Sequence, residues 1–310
     1  MLIERCWRQM ASPVQWLIDG DTFEGMEQLE NDLRILFRTV ERRLSRFQEN
    51  SEAVWLNRNL GQWVSVSDVL YAALAVSHRA WRLTGGLFDP RVIIDLERLG
   101  YVGAQIPFGS HAEAQWLERR PRLRQVRLHS PVDFGGIGKS LVVFWGARLI
   151  TRYFMAINRP LPPMLLNAGG DMQMLGSSVP EPGGWQVGVE HPVASDQMGM
   201  VLTFPVAMAV CTSSIRIHQW FHQGRNVHHL INPLTHEPGG EGLLSVTVAH
   251  QRPTWAEVWS KALFLQGTTG IADFAHRHRL NAWWFTDDGK VGATQDAWHY
   301  ITWLHPTFVI

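Results

Sequence analysis

Apolar residues recur at three- and four-residue steps through Phe23, Met26, Leu29, Leu33, Leu36, Val40 and Leu44, a spacing that predicts one face of a long helix. Asp21 with Glu24 three residues later predicts a capping arrangement at its start. A second helix is expected from near Ser67 through Leu70, Leu74 and Trp81, stopping at Gly85-Gly86. From about residue 163 the texture changes to short β-rich segments at 164–166, 185–189, 201–210, 243–248 and 282–285. Asp288-Gly289 reads as a hairpin turn after the last of them, and a helix intervenes over about 254–266. Helices early and antiparallel-looking strands late predict an α+β fold. The expected architecture is one compact module over residues 1–310, with two lobes, a mostly antiparallel sheet and flanking helices. The Pro-rich stretches 159–163 and 180–184 read as loops within it.

Composition narrows the function classes. The chain has 310 residues, 45% hydrophobic and 18% charged, enough apolar material for a substantial core. Basic and acidic residues balance at 28 each, and the basic run 119–127 is short and reads as a solvated face. Nucleic-acid binding, which needs clustered phosphate-neutralising cations, is not expected. Cys6 and Cys211 stand far apart and in no metal-ligand spacing, so both read as free thiols. No window approaches the roughly 18 uninterrupted apolar residues of a membrane span, and residues 1–8 lack the apolar run of a signal peptide. A cytoplasmic location is expected, or a periplasmic one if a leader has been removed.

The most distinctive stretch is Asp133-Phe134-Gly135-Gly136-Ile137-Gly138-Lys139-Ser140. A P-loop needs glycine where Asp133 stands, and a carboxylate there would repel phosphate. The remaining features are a carboxylate, a turn whose bare backbone can approach a ligand, and a lysine at a helix start. An ordinary glycine-rich connection fits the segment equally well. No GxGxxG follows a predicted strand, so a Rossmann dinucleotide site is unsupported.

Three more segments acquire meaning in combination: Thr84-Gly85-Gly86-Leu87-Phe88-Asp89-Pro90, Asn167-Ala168-Gly169-Gly170-Asp171, and His229-Leu230-Ile231-Asn232-Pro233-Leu234-Thr235. With the Asp133 turn, in this order, they resemble the ApbE family of FAD:protein FMN transferases. Met10-Ala11-Ser12-Pro13, Leu44-Ser45-Arg46-Phe47, Trp185-Gln186-Val187-Gly188-Val189 and Cys211-Thr212-Ser213-Ser214 extend the resemblance over roughly residues 10–266.

The resemblance implies FAD as substrate and an acceptor flavoprotein as partner. A Thr or Ser hydroxyl in the acceptor's flavinylation motif attacks the FMN-side phosphorus, and AMP leaves. By position, flavin and adenine contacts fall to Met10, Phe47, Leu87, Phe88, Asp89, Asp133, Lys139 and Ile231. His229 falls where the family accepts the hydroxyl proton, a role suited to imidazole. The expected site lies between the lobes, with the dinucleotide between the Asp133 turn and the His229 loop. The family's Mg²⁺ ligands map to the Gly136 carbonyl, Glu257 and Lys261. Glutamate supplies a hard oxygen, but a protonated lysine has no lone pair to donate. Two other readings fit Glu257: a capping box with Thr254, and an exposed i,i+4 pair with Lys261, worth about 0.2–0.5 kcal/mol. On this basis the Lys261 ammonium is expected to occupy or crowd the metal position. Arg216, Asn232 and His236 also depart from the family pattern, and His218 with His222 has the spacing of a helical metal pair but, without a third ligand nearby, reads as two surface histidines. FAD pyrophosphatase activity and non-catalytic FAD binding are the alternatives to transfer.

Overall fold

The computed structural model describes residues 1–101, 103, 115–177, 183–194 and 196–309. The chain divides into two compact units, each assembled from separated segments: 1–36, 139–218 and 239–310 in the first, 37–138 and 219–238 in the second. Mixed helix and antiparallel sheet, as expected, make up both.

The first unit is built on an eight-stranded sheet. In spatial order its strands are Leu2–Gln9, Ser12–Asp19, Met164–Ala168, Asp171–Leu175, Ala209–Ser214, Leu243–His250, Asn281–Thr286 and Val291–Ala293. Every neighbouring pair runs antiparallel. Val14, Trp16 and Ile18 alternate inward and are completely buried, the period-2 signature of a strand with one core face. Met10 and Ala11 form the turn of the first hairpin with φ of +54° and +56°, the mirror-image turn that matches strand twist. The helix Pro253–Phe264 packs on the strands Ala209–Ser214 and Leu243–His250. A three-stranded sheet of Trp185–Glu190, Met198–Phe204 and Ile301–Leu304 shares a core with the large sheet through Phe204, Trp283 and Phe285.

Several expectations need correcting. The long helix begins at Met26, because Gly25 takes φ +78° and breaks the helix before it, so Asp21 does not cap it. Phe23 lies outside the helix and packs its ring against Phe154, 4.9 Å between centroids. Segment 201–210 is not one strand. It is the end of one and the start of another, in different sheets, separated at Pro205, which has no N–H for a ladder. His222 lies on the strand Gln219–His222, so the helical metal-pair reading of His218 and His222 fails.

In the second unit the helix Asp68–Leu83 starts where expected, with the Ser67 hydroxyl accepting from the Leu70 N–H at 3.2 Å. Ser51 likewise caps Glu52–Asn57 through the Val54 N–H. A small sheet of Val64–Ser65, Gln125–Leu128 and Leu117–Arg120 carries the basic run, where Arg127 pairs with Glu118 and Arg120 stacks over Trp63. Of the loop 180–184, residues 180–182 lie outside the described residues. Among the described residues no helix is long and apolar enough to cross a membrane.

Candidate active site

In the first unit, the Asn-Ala-Gly-Gly-Asp segment is the hairpin joining Met164–Ala168 to Asp171–Leu175. Gly169 and Gly170 turn the chain at φ +60° and +96°. Asn167 steadies the turn: its Oδ1 accepts from the Gly170 N–H at 2.9 Å, and its amide donates to Gln15 Oε1 at 3.0 Å. A Cβ on Gly169 would stand 2.7 Å from Ser12 Oγ and 3.3 Å from Lys139 Nζ. The bare backbone therefore gives the lysine ammonium its place. Lys139 is the second residue of the helix Gly138–Ala156, so it adds its charge to the partial positive charge of a helix start.

The same hairpin buries Asp171. Carboxylate oxygens of Asp171 and Glu257 and the Cys211 sulfur all lie within 4.8 Å of one another, and all three residues are buried. The helix Pro253–Phe264 brings Glu257 here and is fastened to the neighbouring strand twice. Ser260 and Ser213 hydroxyls bond at 2.8 Å, and the Cys211 thiol donates to the Pro253 carbonyl at 3.3 Å. Lys261, one turn after Glu257, ion-pairs with its Oε1. Pro253 is the first residue of this helix and no side chain caps it, which removes the capping-box reading of Glu257. The i,i+4 pair exists, but part-buried rather than exposed.

Burial pushes the Asp171 carboxyl up from 3.8 to about 7, and the Glu257 carboxylate adds to it, while Lys139 and Lys261 pull the other way. Burial also holds the Cys211 thiol well above its usual range, so it stays protonated. His218 is lowered, first by burial and then by Lys139. Among the described residues, Asp171 Oδ2 and Glu257 Oε2 meet no N–H or hydroxyl donor. A proton kept on Asp171 lets the two carboxyls bond each other.

This shift makes a stability prediction. A carboxyl that holds its proton more tightly when folded adds no penalty below pH 3.8. The penalty grows as pH rises and is complete above about 7. Asp171→Asn should therefore raise Tm over the parent by a margin that widens from pH 5 to pH 8. A margin unchanged across that range would show that Asp171 ionises without penalty.

These donors do not fit Mg²⁺. A hard dication wants several oxygen ligands and surplus negative charge. Here one candidate ligand is a protonated thiol. The position expected to complete the set is an ammonium already paired with Glu257. The carboxyls of Asp171 and Glu257 are matched by the ammoniums of Lys139 and Lys261. Gly136, the third residue expected at the metal, stands in the glycine turn that precedes the helix Gly138–Ala156.

In that unit, Asn57 binds both backbone groups of Val132, donating to its carbonyl at 2.8 Å and accepting from its N–H at 3.0 Å. This places Asp133, whose N–H donates to the Pro90 carbonyl at 2.8 Å. The Asp133 carboxylate accepts from the Gly135 N–H at 3.1 Å, a side-chain turn that leads the backbone through Gly136 into the following helix. The Thr84 hydroxyl donates to the Ala80 carbonyl and accepts from the Phe88 N–H at 2.9 Å. Asp89 accepts from the Arg91 N–H at 2.8 Å and grips the Arg91 guanidinium with both oxygens. A cleft of about 500 Å³ opens beside this segment, lined by Trp81, Gly85, Gly86, Asp89, Pro233 and Leu234 among others. Two of the four motif segments thus share one cleft.

The remaining site candidates are placed unevenly. His229 is half-buried just after the strand Arg225–His228, between buried Val227 and Leu230. Ile231 is core, packed with Leu96, Leu99 and Val227, and Phe88 is 5% exposed. Phe47 is 59% exposed, its ring edge-on to Tyr101. Leu87 and Met10 are half-buried. Arg216 pairs with Glu190, and His236 Nδ1 lies 3.1 Å from Asp95 Oδ2. Sequence reasoning did not single out Asp171 or Cys211 as site residues. The signal available for Asp171 was its position directly after a two-glycine turn.

Comparison with known proteins shows the family and the fold. A model of the ApbE family matches residues 10–284. The chain is 23% identical over 280 residues to the FAD:protein FMN transferase of Klebsiella pneumoniae, covering 86% of this chain and 84% of that one. It is 22% identical over 304 residues to the FAD:protein FMN transferase of Haemophilus influenzae, covering 93% and 88%. Among solved structures, the ApbE protein of Thermotoga maritima superposes with a TM-score of 0.83 at 19% identity, over 97% of this chain and 99% of that one. The flavin transferase ApbE from Vibrio cholerae gives 0.76 at 17% identity, over the same shares.

Proposed function

The chain belongs to the ApbE family, and from that premise we propose that it transfers FMN from FAD to a threonine or serine hydroxyl of a partner flavoprotein, releasing AMP. The observation that carries this reading is the family match over residues 10–284, with every motif segment inside it. The transferase domain on this reading extends over the whole chain, residues 1–310.

The acceptor oxygen bonds to the FMN-side phosphorus, and the bond from that phosphorus to the bridging oxygen breaks. AMP carries the bridging oxygen away. The acceptor proton passes to His229, and no electrons are transferred. Such a reaction asks the protein chiefly to position groups and neutralise developing charge. Lys139, at a helix start and held beside Gly169, suits a pyrophosphate oxygen. Gly85 and Gly86 leave a cleft wall without side chains, open to a flat ring system near Asp89. Met10, Phe47, Leu87 and Asp133 have surface to offer a bound dinucleotide. Phe88 and Ile231, being buried, serve it through backbone groups and by supporting the loops. No step runs through a metal.

The test incubates the protein with FAD and an acceptor peptide carrying Asp, Ser or Thr, Gly, Ala and Thr. Chromatography follows AMP, and mass spectrometry follows FMN on the peptide. AMP together with flavinylated peptide is the expected result. AMP without labelled peptide would mean hydrolysis, and unchanged FAD would leave only a binding protein.

A further inference from the structure

We propose that the Lys261 ammonium is the resident cation of this site and that FMN transfer by this chain proceeds without a divalent metal, an inference that rests on the transferase reading. The position is built rather than incidental. The Glu257 side chain is 5% exposed and that of Lys261 17%, and their ion pair spans one helical turn. The helix that carries both is tied down at Ser260 and at Pro253. An ammonium has three N–H donors, and Lys261 directs one to Glu257 Oε1. Two remain on a group that still reaches solvent. A fixed, partly desolvated cation with donors to spare is suited to a phosphate oxygen, where preorganised charge counts for most.

Charge balance argues in the same direction. Asp171 and Glu257 feel the opposing charges of Lys139 and Lys261, so a divalent ion would enter a site whose two carboxyls are already offset by ammoniums. It would also have to displace an ammonium from a buried carboxylate, leaving that ammonium without its partner. The chain has placed a covalently attached cation where a dissociable one would otherwise bind.

Removing Lys261 should uncover the vacancy. Among the described residues, Asp171 Oδ2 and Glu257 Oε2 are buried oxygens that meet no N–H or hydroxyl donor, and Lys261→Thr adds a hydroxyl on the same helix while deleting the competing charge. Mn²⁺ titration followed by electron paramagnetic resonance reads this directly. The parent protein should bind no Mn²⁺ tightly, and Lys261→Thr should bind one ion per chain. Thermal melts of both, and of the near-isosteric Lys261→Met, show whether each variant is folded.

In the FAD assay, the parent should release AMP equally in EDTA and in Mg²⁺. Lys261→Met should be slowed about a hundredfold in both, and Lys261→Thr should recover with Mg²⁺ alone. Tight Mn²⁺ binding by the parent, parent activity abolished by EDTA and restored by Mg²⁺, or a folded Lys261→Thr that binds no Mn²⁺ would each overturn the assignment. If the parent releases no AMP under any condition, the transferase reading fails, while the Mn²⁺ titration still decides whether Lys261 holds the cation position.

Discussion

His229→Ala is expected to slow FMN transfer by about 10²- to 10⁴-fold, the usual contribution of a positioned general base, with FAD affinity little changed. The acceptor hydroxyl is a poor nucleophile until its proton leaves, and an imidazole is the side chain best matched to taking it near neutrality. The placement favours a clean experiment. Val227 and Leu230 anchor the loop in the core on either side of His229. The His228 ring accepts from the Leu230 N–H at 3.3 Å, and the Asn232 side chain accepts from the Leu234 N–H at 2.9 Å. Those supports survive truncation at 229, so the loop should keep its course. Single-turnover AMP release measures the chemical step, and flavin fluorescence measures binding. A variant with parental turnover would remove His229 from the mechanism. One that loses FAD affinity in proportion to rate would make it a binding residue.

The elements legible in the sequence are those whose signal is local. The apolar stripe from Met26 to Leu44 keeps one period over a whole helix, and five of its residues are essentially buried: Leu29, Leu33, Val40, Met26 and Leu44. Ser67 and the paired glycines 85 and 86 bracket the next helix because capping and left-handed turns leave residue-type signatures. The helix Gly138–Ala156 is different. Leu141, Val142, Val143, Ala147, Ile150 and Phe154 are buried, and the run of three on adjacent faces leaves no narrow stripe to read. Only its start was marked, by the glycine turn. The split of segment 201–210 also escaped, since two strands with one pattern and a proline between them look like a single interrupted strand. For the site, the motif segments were legible but their partnerships were not. Glu257, Asp171 and Cys211 lie 40 or more residues apart in sequence and meet only because the sheet places their strands and helix together. A capping box was the local reading of Glu257, and tertiary burial overrode it.

Asp89→Ala is expected to destabilise the protein by about 3–5 kcal/mol, because it removes the carboxylate that pairs with the buried Arg91 guanidinium rather than merely deleting a contact. Asp89 and Arg91 are each 7% exposed. The aspartate carries two loads at once. It caps the 3₁₀ turn Pro90–Val92 through the Arg91 N–H, and it binds the Arg91 side chain with both oxygens. The nearby Trp81 ring, 5.7 Å from the guanidinium carbon, cannot replace a full counter-charge. Asn at position 89 keeps an acceptor for the cap and loses only the charge, so Asp89→Asn should cost less. Combining Asp89→Asn with Arg91→Met removes both charges and should regain most of the loss, since a buried pair adds little over a neutral replacement of similar shape. Urea denaturation of the parent, the two single variants and the double variant separates these effects. If Asp89→Ala lies within about 1 kcal/mol of the parent, water or another group must neutralise Arg91. The segment that lines the cleft would then owe its shape to Thr84 and the backbone alone.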